Sequence, residues 1–140
     1  MKPSERLFRS LIIASVLTAC ASGVIDYLFP DLIPLALQTV KPPVTFDTLR
    51  IADIVLAVAC IPIGLSMIAS IIGLYQFRPW APRLALYTTV GLVALFPFIS
   101  FSVNSGWADM FGVIDSLLWG AVITMAYFSP IHSKFLKNGR

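Results

Sequence analysis

Two apolar runs separated by a short basic turn constrain this chain more than any other feature. Residues 51–75 contain one charged side chain, Asp53, and residues 84–108 contain none. A helix needs about 20 apolar residues to cross the hydrocarbon core of a bilayer. The two runs are therefore predicted to form two adjacent membrane-spanning helices.

The turn between these runs predicts which side of the membrane each helix end occupies. It contains Arg78 and Arg83, and short loops rich in Lys and Arg remain in the cytoplasm. Pro79 and Pro82 are expected to end the incoming helix, and Pro82 can also occupy the first turn of the next one. The turn is therefore predicted to be cytoplasmic.

Composition and charge distribution extend this prediction to the whole chain. The 140 residues are 58% hydrophobic and 12% charged, with a mean hydropathy of +0.87, which excludes an ordinary soluble domain. Basic residues cluster in three segments that we predict to be cytoplasmic, rather than forming a nucleic-acid-binding surface. Eight of the ten lie there: Lys2, Arg6, Arg9, Arg78, Arg83, Lys134, Lys137 and Arg140.

The predicted fold is an all-α integral membrane protein with four transmembrane helices in an antiparallel bundle and both termini in the cytoplasm. It forms a single domain in a bacterial inner membrane. The spans are predicted at 10–29, 51–75, 84–103 and 109–128, with an outer loop at 30–50. That loop is long for so small a domain, and long loops are often functional. The tail from Ile131 is expected to be frayed.

Small residues are predicted to mark where these helices pack. Gly, Ala and Ser allow helix backbones to approach closely in a membrane. The second helix carries small residues in its inner half, ending at Gly73, that suit contact with the first or third helix. Stripes of period four on the first and fourth helices comprise Ser15, Ala19, Gly23, Gly112, Ser116 and Gly120.

Leu17 to Cys20 allows a second interpretation of the N-terminus. A basic start, an apolar stretch and then Leu, two small residues and Cys is typical of a bacterial lipoprotein signal cleaved before the cysteine. However, the apolar run continues past Cys20 to Phe29 instead of opening into a polar tether. We therefore expect the first helix to remain intact.

Catalytic and metal-binding patterns are missing from the sequence. There is no metal-ligand spacing, no phosphate-binding glycine loop and no base for a Ser or Cys nucleophile. The one histidine, His132, is expected to be a solvated side chain at the end of the last helix. We expect neither an enzyme nor a cofactor.

Acidic residues near the outer ends of the helices form the candidate polar site, together with Arg50. Asp26 and Asp53 are close enough to helix ends to reach water, whereas Asp115 lies about 9 Å into the fourth helix. A charge at that depth is expensive, so Asp115 is expected to face the bundle interior. Its function would be that of an ion or proton site, or of a recognition contact inside the membrane. Alternatively, it is structural: it is satisfied by Arg50, Trp119 or a hydroxyl such as that of Ser22 or Ser66, or it is kept protonated.

Two classes of function remain open. The favoured class acts through protein contacts in the membrane, either as an accessory subunit of a membrane complex or as an immunity-type protein against a membrane-acting toxin. Its partners would be the lipid bilayer and another membrane protein or a second copy of the chain. The alternative is a small oligomeric channel or ion-coupled carrier that uses the outer acidic residues.

Overall fold

The computed structural model describes residues 3–29, Leu32, 51–95 and 105–137. Within these residues the protein is 90% helical and contains no strand. The helices are α1 (Pro3–Leu28), α2 (Ile51–Tyr75), α3 (Ala81–Leu95), α4 (Gly106–Phe128) and α5 (His132–Lys137). The predicted outer loop at 30–50 lies outside the described residues, apart from Leu32.

Three of the described helical segments are long and apolar enough to cross a membrane. They are Pro3–Leu28, Val58–Tyr75 and Gly106–Phe128. The third predicted span, 84–103, is described only as far as Leu95, and this shorter apolar helix does not reach spanning length within the described residues. The chain divides into two compact units, one of residues 1–42 and 102–125 and the other of residues 43–101 and 126–140.

The first unit contains α1 and most of α4, and each helix buries one narrow face. The buried positions on α1 are spaced by three, four and three residues, as in a coiled-coil seam, where one face of a helix meets its neighbour. Those of α4 in this unit form two pairs, and the members of each pair are three residues apart. On α1 they are Glu5, Phe8, Ile12 and Ser15. On α4 and the residue before it they are Ser105, Ala108, Trp119 and Val122.

The second unit contains the contact between α2 and α3, which is closest at Gly73. A Cβ atom built on Gly73 would lie 2.8 Å from the Cβ of Ala81 and 2.8 Å from the ring of Trp80. Further along, Thr88 Oγ1 lies 3.9 Å from the sulfur of Met67. The prediction that small residues in the inner half of this helix allow close contact with the third helix is therefore confirmed at Gly73.

The connection between α2 and α3 ends α2 with an unusual backbone conformation. The Arg78 N–H donates to the Gly73 carbonyl at 2.8 Å and the Phe77 N–H donates to the Leu74 carbonyl at 3.1 Å, the two bonds of a Schellman motif. Phe77 has a φ of 56°, a left-handed conformation normally occupied by Gly. Its side chain is only 5% exposed and its ring lies 5.5 Å from that of Phe135.

The C-terminal segment is helical and partly buried, so the prediction of a frayed tail is wrong for residues 131–137. Ile131 and Phe135 are each 2% exposed. These two apolar side chains are four residues apart and therefore share one face of a helical turn. Burial of that face stabilises α5, which is too short to be stable alone in water.

Candidate functional site

Asp115, the acidic residue predicted to lie deepest, is hydrogen-bonded to a serine on α1. Ser15 occupies the buried face of α1 and is 3% exposed. Its Oγ donates to Asp115 Oδ1 at 2.5 Å. An intramolecular hydrogen bond contributes about 0.5–1.5 kcal/mol net to stability. The structure thus gives Asp115 the hydroxyl partner of the structural interpretation, but from Ser15 rather than Ser22 or Ser66.

Asp26 binds the beginning of α4. The Ser105 backbone N–H donates to Asp26 Oδ2 at 2.9 Å, and the Ser105 hydroxyl donates to Asp26 Oδ1. Ser105 is also the N-cap of α4, because its Oγ accepts the Ala108 N–H at 3.2 Å. A carboxylate at this end also complements the positive pole of the helix. The sequence predicted only that Asp26 reaches water, and this role was missed because its partner Ser105 is 79 residues away in the chain.

Ser22 forms a third contact between these two polar pairs. Its hydroxyl donates to the Ala108 carbonyl at 2.8 Å. The same hydroxyl lies 3.5 Å from the position that a Cβ of Gly112 would occupy. Since Gly112 has no side chain, the two helices can approach closely enough for Ser22 to reach the α4 backbone.

These three contacts form a polar seam between α1 and α4, defined by Ser15, Ser22, Asp26, Ser105 and Asp115. As the residue numbers of the contacts rise along α1, they fall along α4. Each helix segment supplies one serine to the carboxylate of the other. Polar side chains in an apolar setting are costly unless satisfied, and each carboxylate here has a donor.

Distance decides whether the two carboxylates could hold one ion. Asp26 is level with Ser105, and Asp115 lies ten residues further along, or about 15 Å at the helical rise. A cation such as Ca²⁺ requires oxygen ligands at about 2.3–2.6 Å. The two acidic residues therefore cannot share a cation in this arrangement. Within the part of the chain that the structure describes, no group of three metal-ligating side chains is found.

The other members of the predicted polar site are not tested by the structure. Arg50 lies outside the described residues. Asp53 falls within the first turn of α2, but its side chain is not among those described. The structure therefore brings Asp26 and Asp115 into one seam and leaves the prediction for Arg50 and Asp53 as it was.

The predicted packing residues separate into two groups. Ser15 and Gly112 lie in the polar seam. Ala19, Gly23, Ser116 and Gly120 are exposed, and no atom of the described residues lies within 4 Å of a Cβ built on either of these two glycines. The Ser116 hydroxyl donates to the Gly112 carbonyl of its own helix at 2.9 Å, so it has a local acceptor. Contact of this second group with another helix stays a prediction.

His132 is held against the end of α4 rather than being fully solvated as expected. Its Nδ1 lies 3.0 Å from the Ala126 carbonyl, which requires a proton on that nitrogen. Its ring stacks on Tyr127 with 6.4 Å between the ring centroids. This contact satisfies one of the carbonyl groups that the last turn of a helix leaves without an intrahelical donor.

No family model, curated protein or solved structure matches this chain.

Proposed function

We propose that this chain is a small non-enzymatic membrane protein that acts through protein contacts within the bilayer. In this proposal it has four spans in an antiparallel bundle, with both termini on the cytoplasmic side of a bacterial inner membrane. The clustering of basic residues supports the orientation. The reversed order of contacts between α1 and α4 supports an antiparallel pairing of those two spans.

The observation that carries this proposal is that Asp26 and Asp115 are both hydrogen-bonded to a serine of the other helix segment. A channel or carrier that used these acids would need them to face a water-filled path or a transported ion. Instead, Asp26 is bound by Ser105 and Asp115 by Ser15. Both carboxylates thus support helix pairing, and this favours a contact function over the transport alternative.

The exposed small residues of α4 indicate where a partner helix would pack. Ser116, Gly120 and Thr124 recur every four residues and are all exposed. The Thr124 hydroxyl donates to the Gly120 carbonyl at 2.8 Å, so this face has hydroxyls that are already satisfied by their own helix. Such a surface allows close helix approach without leaving a polar group unsatisfied.

Co-purification in mild detergent tests the proposal and separates its forms. One stoichiometric partner from a membrane complex would support an accessory subunit, whereas binding to a membrane-acting toxin would support an immunity-type protein. Gly120→Leu should abolish co-purification, because its side chain would hold the partner helix away. Gly64→Leu is the matched control, since Gly64 is also exposed with open space around it.

Two results would contradict this function. If Gly120→Leu binds the partner as well as Gly64→Leu does, the exposed face of α4 is not the partner surface. Ion flux from the purified chain in liposomes, abolished by Asp115→Asn without loss of fold, would instead support the channel or carrier class.

The proposed topology has its own test, in a variant without Cys20 and Cys60. Cysteines introduced at Lys41 and Gly106 should react with an impermeant reagent from outside intact cells, and one at Ser133 should not. Gly106 is used because it is exposed, whereas the neighbouring Ser105 is 1% exposed. Labelling at Ser133 but not at Lys41 would invert the topology.

A further inference from the structure

Basic side chains of the second unit lie near Phe77. Arg78 follows Phe77 in the connection between α2 and α3, and Arg83 lies in the first turn of α3. Both arginines are exposed. The amino group of Lys134 on α5 lies 5.7 Å from the centroid of the Phe77 ring. Segments that are distant in the chain therefore bring Arg78 and Lys134 close to the same aromatic residue.

The backbone near Phe77 is fixed rather than loose. Phe77 and Phe135 pack together and are both buried, which ties α5 to the α2–α3 connection. The two Schellman bonds fix the direction of the chain at Arg78. The Arg78 Nε donates to Gln76 Oε1 at 3.4 Å, and this uses one of the five N–H donors of a guanidinium. Arg78 therefore retains donors for an anionic ligand.

Exposed apolar side chains in the same two segments, the α2–α3 connection and α5, indicate the rest of the ligand. Trp80 is 47% exposed and Leu136 is 63% exposed. Trp rings favour the headgroup level of a bilayer, with the indole N–H toward water. A soluble phosphate ion would make no favourable contact with these exposed apolar side chains. A phospholipid would match both parts, with its phosphate on the cations and its acyl chains beside the apolar helices.

We propose that the α2–α3 connection and α5 form a binding site for the headgroup of an anionic phospholipid, with Arg78 and Lys134 contacting the phosphate and Arg83 adding long-range attraction. This site goes beyond the proposed function because it requires no protein partner. Basic side chains near an anionic membrane surface contribute about 1 kcal/mol each, equivalent to about five-fold in binding.

Titration of the full-length chain in detergent, with bound lipid counted by native mass spectrometry, tests the site. Phosphatidylglycerol should bind at least about ten-fold more tightly than phosphatidylcholine. The double variant Arg78→Gln with Lys134→Gln should weaken phosphatidylglycerol binding about 25-fold, from five-fold per cation. The matched control, Lys2→Gln with Arg6→Gln, removes the same charge from the N-terminal segment and should change binding less than about two-fold.

Three outcomes would each contradict the proposed lipid site. Arg78→Lys should retain most of the binding because it keeps the charge, and loss equal to Arg78→Gln would contradict a phosphate contact. Competition by millimolar inorganic phosphate at constant ionic strength would assign the site to a soluble anion. If the control variant loses as much phosphatidylglycerol binding as the double variant, the binding depends only on net charge and not on this site. Far-UV circular dichroism of every variant should be unchanged, and a loss of helix only in the double variant would attribute its weak binding to unfolding.

Discussion

Gly73→Ala offers the sharpest test of how α2 and α3 pack. The added Cβ would lie 2.8 Å from the Cβ of Ala81 and from the ring of Trp80. Carbon atoms in favourable contact are about 3.5–4.0 Å apart, so each distance is too short by roughly 1 Å. The Trp80 ring can rotate away. The Cβ of Ala81 is fixed to the backbone and that residue is fully buried, so α3 itself must move.

The expected magnitude follows from comparison with an open glycine in the same helix. Inserting a methyl group into a packed contact costs about 1–3 kcal/mol. Replacing Gly by Ala within a helix gains about 0.5–1 kcal/mol. Gly64→Ala has only the second effect, because its Cβ position has no neighbour within 4 Å among the residues that the structure describes. Since the helix-propensity gain cancels in the comparison, Gly73→Ala should be less stable than Gly64→Ala by about 1–3 kcal/mol.

Reversible unfolding in mixed micelles, followed by far-UV circular dichroism, measures this difference. Adding Ala81→Gly to Gly73→Ala removes the atom responsible for the clash. The pair should therefore show a coupling energy of at least about 0.5 kcal/mol. If Gly73→Ala is as stable as Gly64→Ala, the close approach of α2 and α3 at this point is refuted.

The same unfolding assay checks three other predictions. Asp115→Asn should retain a bond to Ser15 and remain near normal, whereas Asp115→Leu should lose about 0.5–1.5 kcal/mol, the net contribution of the hydrogen bond between α1 and α4; equal stability would exclude a structural role. Ser105→Ala should cost about 1 kcal/mol for the lost cap, and more because Asp26 loses its hydroxyl donor, so a neutral result would argue against the cap. Phe77→Gly should be about 1 kcal/mol more stable than Phe77→Ala, since only Gly adopts a positive φ without strain, although both should be less stable than the wild type. The reverse order would contradict the left-handed backbone there.

Sequence reasoning located the helices well because hydropathy along the chain is a strong signal. The apolar run at 51–75 corresponds to α2, and Pro82 lies in the first turn of α3 as its fixed φ suits. The proximity of α2 and α3 could also be predicted from the sequence, because small residues ending at Gly73 precede a short turn. These inferences depend only on local composition and chain length.

The hydrogen-bond partners within the polar seam could not be predicted from local composition. Asp115 was expected to find a hydroxyl, but Ser15 lies 100 residues away in sequence and is one of several serines in apolar helices. A spacing of three and four residues marks the buried face of α4, whereas the sequence stripe through Gly112, Ser116 and Gly120 has a period of four. In a helix that is apolar on all sides, hydropathy does not reveal which face is buried.

Two features of the second unit were missed for different reasons. The left-handed Phe77 could not be anticipated, since the sequence signal for that conformation is Gly and aromatic residues rarely adopt it. The helix α5 has six residues, too few for a periodic pattern to be read. Its stability depends on the Phe77 and Phe135 contact, which joins segments distant in the chain.

The polar seam also sets an order of events during synthesis of the proposed membrane protein. Ser15 and Ser22 are made early, but their partners Asp115 and Ala108 follow 100 and 86 residues later. At about 5–20 residues per second, α1 must wait roughly 5–20 s for Asp115. During that interval its serine hydroxyls can turn back to carbonyls of their own helix, as Thr18 does. Although α1 is made before the other described helices, its pairing with α4 must follow the synthesis of α4.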